Sequence, residues 1–148
     1  MNPLSVILKQ LLADMFVTYF KAQTYHWNTE GRNFSQDHAF FGELYQTFLG
    51  QIDSTAEQIR ALGVYAPPSL EDLYPSKTLQ EDTVKPDTFE AMVGNILIGN
   101  QHISATLNKL FDDSTAANNQ GLANFAADLL DKNAKQAWML RSYLKSGE

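Results

Sequence analysis

Residues 64–86 read VYAPPSLEDLYPSKTLQEDTVKP, and this stretch decides the fold. It holds four of the five prolines and no long apolar period, so it is a connection rather than a regular element. Within it Ser69-Leu70-Glu71-Asp72-Leu73-Tyr74 predicts a short helix capped by Ser69 and stopped by Pro75. Upstream, Pro3 to about His26 carries Leu4, Leu8, Leu11, Leu12, Met15 and Tyr19 at helical spacing. After a turn at Asn28 to Asn33, Phe34, Phe41, Phe48, Ile52 and Ile59 trace one face of a second helix that ends near Gly63. Two long helices joined by so short a turn are antiparallel. Downstream, a third helix from about Asp87 or Thr88 to Phe111 turns Phe89, Met92, Val93, Ile96, Ile103, Leu107 and Leu110 inward. Beyond a loop from Asp113 to Gln120, a fourth places Leu122, Phe125, Leu129, Ala137, Leu140 and Leu144 on one stripe. A link as long as 64–86 is unusual inside a compact domain, but it suits a bundle in which one connection runs the bundle's length. The expected architecture is all-α: one domain over residues 1–148, a four-helix bundle with a long crossover carrying a short helix between helices two and three.

Composition narrows the function. At 148 residues the chain can bury a core unaided, and with no cysteine it offers no thiolate metal site, disulfide or thiol nucleophile. A net charge of -6 repels nucleic acid and anionic membranes and favours cations as small partners. The lysines and arginines are scattered, which argues against DNA binding. Lys9 and Asp14 interrupt the apolar N-terminal run, so it reads as mature structure rather than a signal peptide or membrane span. A cytoplasmic protein is expected.

Three histidines carry most of the chemistry on offer. His26 closes the first helix and His38 lies in the first turns of the second, where the turn between them brings the two close. Asp53 and Glu57, at i and i+4 on the second helix, share a face. Two imidazoles and two carboxylates suit a divalent transition metal such as iron. Asp53 lies fifteen residues beyond His38, roughly 22 Å along a helix, whereas a metal–ligand bond spans only about 2 Å. The two pairs therefore cannot share an ion within one chain. His38, Asp53 and Glu57 do fall within a wedge of about 100° beside the apolar face, an arrangement suited to an antiparallel two-fold interface. Taken alone, an acid pair at this spacing is ordinarily a solvated helix face, and His26 a hydrogen-bonded turn residue. His102 has no acid at helical spacing and reads as structural. Gln23, Ser35 and Gly99 stand three residues before the histidines, so the two Glu-x-x-His repeats of an intrachain di-iron site are absent.

Tyr25-His26-Trp27-Asn28, Gly31, Asn33-Phe34, His38, Leu44-Tyr45, Asp53, Ala56-Glu57 and Arg60-Ala61-Leu62-Gly63 together resemble the signature of the Dps mini-ferritins. The likeness is dense over the first two helices and continues more weakly to Ala137-Trp138-Met139-Leu140-Arg141. It implies a ferritin-like bundle that assembles as a homo-oligomer, a dodecameric shell, with ferroxidase sites at its two-folds and a ferric mineral stored inside. His26 and His38 match the family's histidine ligands, and Asp53 and Glu57 the acidic pair from the adjoining subunit. Trp27 stands where the family sets an aromatic that quenches radicals. The cofactor implied is iron, as Fe2+ and Fe3+, with two metals per site and oxygen or peroxide as oxidant.

Three departures qualify this. Gly42 stands four residues after His38, where the family has aspartate, which weakens the second metal position. It leaves as an alternative a storage shell with impaired or no ferroxidase activity. The region that lines three-fold pores in the family offers Asn118, Asn119, Gln120 and Asn124, with Asp128 the clearest acid. The lysine-rich tail of DNA-condensing members is missing, Lys9 being the only lysine near the N-terminus.

Overall fold

The computed structural model describes residues 2–145. Four long helices carry the fold: α1 Pro3–Asn28, α2 Phe34–Ala61, α4 Phe89–Ala116 and α5 Gln120–Leu144. The crossover between α2 and α4 holds α3, Leu70–Leu73, which runs into a 3-10 turn at Tyr74–Ser76. No strand occurs among the described residues. α1 packs on α2 and α4, and α4 on α5. Because the crossover spans the bundle, α2 and α4 run parallel and the N-terminus of α4 lies beside that of α2.

Local chemistry sets the boundaries. Asn2 caps α1 through its side chain, which accepts from Leu4 N–H, with Pro3 in the first turn. α2 ends where Gly63 takes φ +83°, with Gly63 N–H bonded to Arg60 and Val64 N–H to Ile59. Ser69 caps α3 as its sequence position implies, but Pro75 does not simply stop that helix. It sits in the 3-10 turn that follows, where a missing N–H costs nothing.

The third long helix is longer than its sequence implies. It continues through Asp112–Ala116, where Lys109 and Asp113 pair at i,i+4, so the expected loop shrinks to residues 117–119. Asn118 takes φ +58°, its N–H bonds to Thr115 and Asn119 N–H to Ser114. This is a left-handed C-terminal cap built on asparagine rather than glycine. Asn119 then caps α5 by accepting from Leu122 N–H.

The core has two halves. One gathers Leu8, Leu11, Met15, Ile59, Leu107 and Leu110 at the end where α1 begins. The other gathers Tyr25, Phe41, Phe48, Val93, Ile96 and Leu140 where α1 ends, and it supports the histidines. Phe34, counted inward from periodicity, is instead exposed, with its ring against His38. By length and composition α1 would pass for a membrane span, yet its apolar side chains line the bundle interior.

One charged residue lies in that interior. Asp14 is fully buried and accepts hydrogen bonds from Thr78 N–H (2.7 Å), Leu79 N–H (2.9 Å) and the Thr78 hydroxyl (2.6 Å). His102 Nε2 lies 2.5 Å from the Thr78 oxygen and 3.6 Å from Asp14. The hydroxyl proton goes to the carboxylate, so Nε2 is the donor to Thr78. His102 is therefore structural, as expected, but it has an acidic partner after all, reached from α1 rather than along its own helix. The residue that interrupts the apolar run thus fastens the crossover to α1 and α4.

Candidate metal centre

The turn between α1 and α2 brings His26 and His38 face to face, with ring centroids 3.8 Å apart and planes 16° from parallel. His26 Nδ1 lies 2.6 Å from the backbone oxygen of His38, and His38 Nδ1 lies 2.6 Å from that of His26. A carbonyl can only accept, so both Nδ1 atoms carry the proton. In the neutral tautomer that these bonds select, Nε2 carries the lone pair with which imidazole ligates a metal. The rings are held elsewhere too: Phe34 stacks on His38 at 5.0 Å and Tyr45 meets His26 edge-on at 5.3 Å. Both histidines are half-buried.

Stacking also limits what the pair can bind. Each lone pair lies in its own ring plane. An ion about 2 Å from one Nε2, in that plane, stands well off the other. In this geometry His26 and His38 address neighbouring positions rather than one ion.

Gly42 has a role that its sequence position did not reveal. It is buried, and a Cβ built on it would come within 3.1 Å of both Cε1 and Nδ1 of His26. Glycine lets α2 approach the His26 ring. Any side chain there makes that ring yield by a few tenths of an ångström.

Asp53 and Glu57 are exposed on α2, far from the histidines of their own chain. Among the described residues no three histidines or acids of one chain come together. Asp53 borders a hollow of about 500 Å3 lined by Phe16, Leu49, Ile52, Pro67 and Leu70. Glu57 borders another between α2 and α5, with Asp128 and Lys132. Phe20 and Trp27 stand exposed beside the histidines, edge to face at 6.2 Å.

Two further groups at this end escaped the sequence reading. Tyr25, one residue before His26, is buried, donates to Asp82 at 2.5 Å and accepts from Asn95 at 3.1 Å. Burial first, then the Asp82 hydrogen bond, push its phenol far above the ordinary range, so it stays protonated. Asp37, beside His38, is buried in the first turn of α2. Burial and then the charge of Glu90 raise its carboxyl above the usual range.

The ferritin-like domain profile matches residues 6–148. An uncharacterized low temperature-induced protein of Nostoc sp. is 31% identical over 140 residues, covering 94% of this chain and 78% of that protein. The DNA protection during starvation protein of Helicobacter pylori is 28% identical, covering 93% and 96%. Among solved structures, the Dps protein of Vibrio cholerae superposes with a TM-score of 0.91 at 26% identity, covering 96% of this chain and 89% of that one. That protein is described as a member of a superfamily of ferritin-like diiron-carboxylate proteins. With its crossover bundle and paired histidines, this chain belongs to the ferritin-like family and, within it, to the Dps proteins.

Proposed function

We propose that the chain, one domain over 1–148, is a mini-ferritin subunit that binds ferrous iron between two copies of itself, oxidises it, and retains the ferric product in a shell. The observation that carries this reading is the stacked histidine pair whose reciprocal Nδ1 bonds to backbone carbonyls leave both Nε2 atoms without a partner among the chain's described residues. Ferrous iron, the substrate, would meet His26 and His38 of one chain and Asp53 and Glu57 of the neighbour, twice per two-fold pair. The apolar surface around these residues, with Phe20, Trp27, Leu49 and Leu70 exposed, suits burial against a second copy. A dodecamer is the assembly the family resemblance implies.

The side chains have distinct tasks. The carboxylates offset the ion's charge, and increasingly so as iron passes from Fe2+ to Fe3+. The imidazoles would supply nitrogen donors at neighbouring positions, and the exposed Trp27 would reduce stray radicals. Two ferrous ions give two electrons to peroxide, which takes up two protons and leaves as two waters. Consuming both reactants suppresses radical formation in the cell.

An anaerobic ferrous titration of the assembled protein tests this: saturable binding is expected, and uptake no different from buffer contradicts it. The second reading, a storage shell with slow or no oxidation, is favoured by one observation. Gly42 supplies no carboxylate, and its Cβ position is crowded by His26. Iron oxidation no faster than in buffer, with mineral still retained, selects that reading. Gly42→Asp is expected to raise tightly bound ferrous iron toward two per site, provided His26 shifts. Unchanged stoichiometry with a folded shell would show that the missing carboxylate does not limit occupancy.

A further inference from the structure

We propose that Asp82, near the end of the crossover, is a positioning residue for the histidine pair and acts on it through Tyr25. The consequence for iron rests on the function proposed above, whereas the hold on the histidine rings does not. Four parts of the chain meet at Tyr25. Its hydroxyl donates to Asp82 of the crossover at 2.5 Å and accepts from Asn95 of α4 at 3.1 Å, so its direction is fixed. Its ring meets Phe41 of α2 edge-on at 5.6 Å. Lys21, one turn earlier on α1, lies 3.8 Å from the second Asp82 oxygen and offsets the carboxylate's charge. Residues 80–85 run exposed along the surface, with the Asp82 side chain turned in toward the bundle.

This junction sits at the root of the metal centre. Tyr25 directly precedes His26, and its carbonyl accepts from Thr29 N–H at 2.9 Å, which closes the last turn of α1. The carbonyl of His26 belongs to the same turn and faces His38 Nδ1 at 2.6 Å, while His26 Nδ1 faces the carbonyl of His38 at 2.6 Å. Because the two bonds are reciprocal, the end of α1 and the start of α2 must keep one register for either to form. A functional constellation has to be held within about 0.5 Å, and the residues behind its ligands do the holding. Tyr25 spans the two helices, through its backbone on α1 and its ring on Phe41, three residues beyond His38.

Cutting the tie at Asp82 frees this turn without removing a ligand. The Tyr25 hydroxyl then takes water in the hollow of about 190 Å3 that it lines with Thr24, Asn28 and Lys85. The last turn of α1 loses its fastening to the crossover. A second tie, Lys85 to Glu30 at 3.6 Å, reaches the turn between the histidines but is exposed and too weak to replace it. Which imidazole nitrogen holds the proton is set by the bond the other nitrogen makes. Lengthened carbonyl bonds therefore let the tautomers mix, and a ring that carries its proton on Nε2 has no lone pair there for a metal.

The test reads the tautomers in the metal-free assembled protein, by solid-state nitrogen NMR of isotope-labelled histidines at a pH where imidazole is neutral. His26 and His38 are expected as Nδ1–H tautomers, with His102, which donates to Thr78 through Nε2, as an internal reference. Asp82→Ala is expected to mix the tautomers of His26 and His38, leave His102 unchanged, and weaken anaerobic ferrous binding about tenfold or more. Asp82→Asn still accepts from Tyr25 and is expected to restore most of both. Unchanged Nδ1–H signals in Asp82→Ala overturn the proposal, and so does weaker iron binding without a change of tautomer. Tyr25→Phe keeps the ring and removes the hydroxyl, so it must give the Asp82→Ala spectrum, and a wild-type spectrum in that variant overturns the route through Tyr25. Should wild-type shells bind no ferrous iron while the tautomers still follow Asp82, the metal reading fails and the positioning stands.

Discussion

Replacing Asp14 by alanine is expected to destabilise the protein by about 3–5 kcal/mol, a large share of the stability of a domain this size. The carboxylate receives two backbone N–H groups and one hydroxyl from Thr78 and Leu79. Each bond to a charged group contributes roughly 1.5–3 kcal/mol, and a buried donor left unpaired costs about 1–3 kcal/mol. These do not add in full, because the crossover relaxes once released. At about 3 °C per kcal/mol for a chain of this length, the melting temperature should fall by roughly 10 °C or more. Asp14→Asn keeps one carbonyl oxygen and should lose less. Chemical denaturation of both variants checks the point, and a loss below about 1 kcal/mol for alanine would show that Asp14 does not hold the crossover.

Glu57→Ala is expected to do the opposite: to leave the fold intact and remove the chemistry. Its side chain is exposed and makes no ion pair within the chain, so stability should change by no more than about 0.5 kcal/mol. Ferrous affinity should fall by about 100-fold or more, since the loss of supporting residues around a metal alone costs about 10–100-fold and Glu57 is proposed to be a ligand itself. His38→Ala should match it in binding, although it also frees the carbonyl of His26 and so costs some stability. Undiminished binding in both variants would remove the proposed site, whatever the assembly.

Much of this was readable in the sequence because it depends on local chemistry. The prolines of 64–86 fix the crossover, Gly63 fixes the end of α2, and a short turn is enough to bring His26 against His38. What was hidden depends on contacts distant in sequence or on backbone shape. Asp14 reads as a break in an apolar run, since its partners lie 64 and 65 residues away and two of them are backbone groups. The end of α4 was misplaced because Asp113-Ser114-Thr115 looks like a loop, while the residue that turns the chain is an asparagine in a left-handed conformation. Gly42 signals a missing ligand in sequence, and only the packing shows that the His26 ring fills its space. Phe34 fits the apolar period yet faces outward, because stacking on His38 holds it at the rim. Asp128 survives as an acid, but Lys132 pairs with it at 3.0 Å and blunts it as a lure for cations.

The claim that the site is shared between chains is tested most directly by co-assembly. Chains carrying His26→Ala with His38→Ala are mixed, unfolded and refolded with an equal amount of chains carrying Asp53→Ala with Glu57→Ala. Neither variant alone should bind ferrous iron. In the mixture half the two-fold pairs are mixed, and each of those regains one complete site of two, so about a quarter of the wild-type binding capacity should return. A mixture that binds no more than its separate components, despite forming mixed shells, or a single variant that binds iron fully alone, would contradict a centre built from the nitrogens of one chain and the carboxylates of the next.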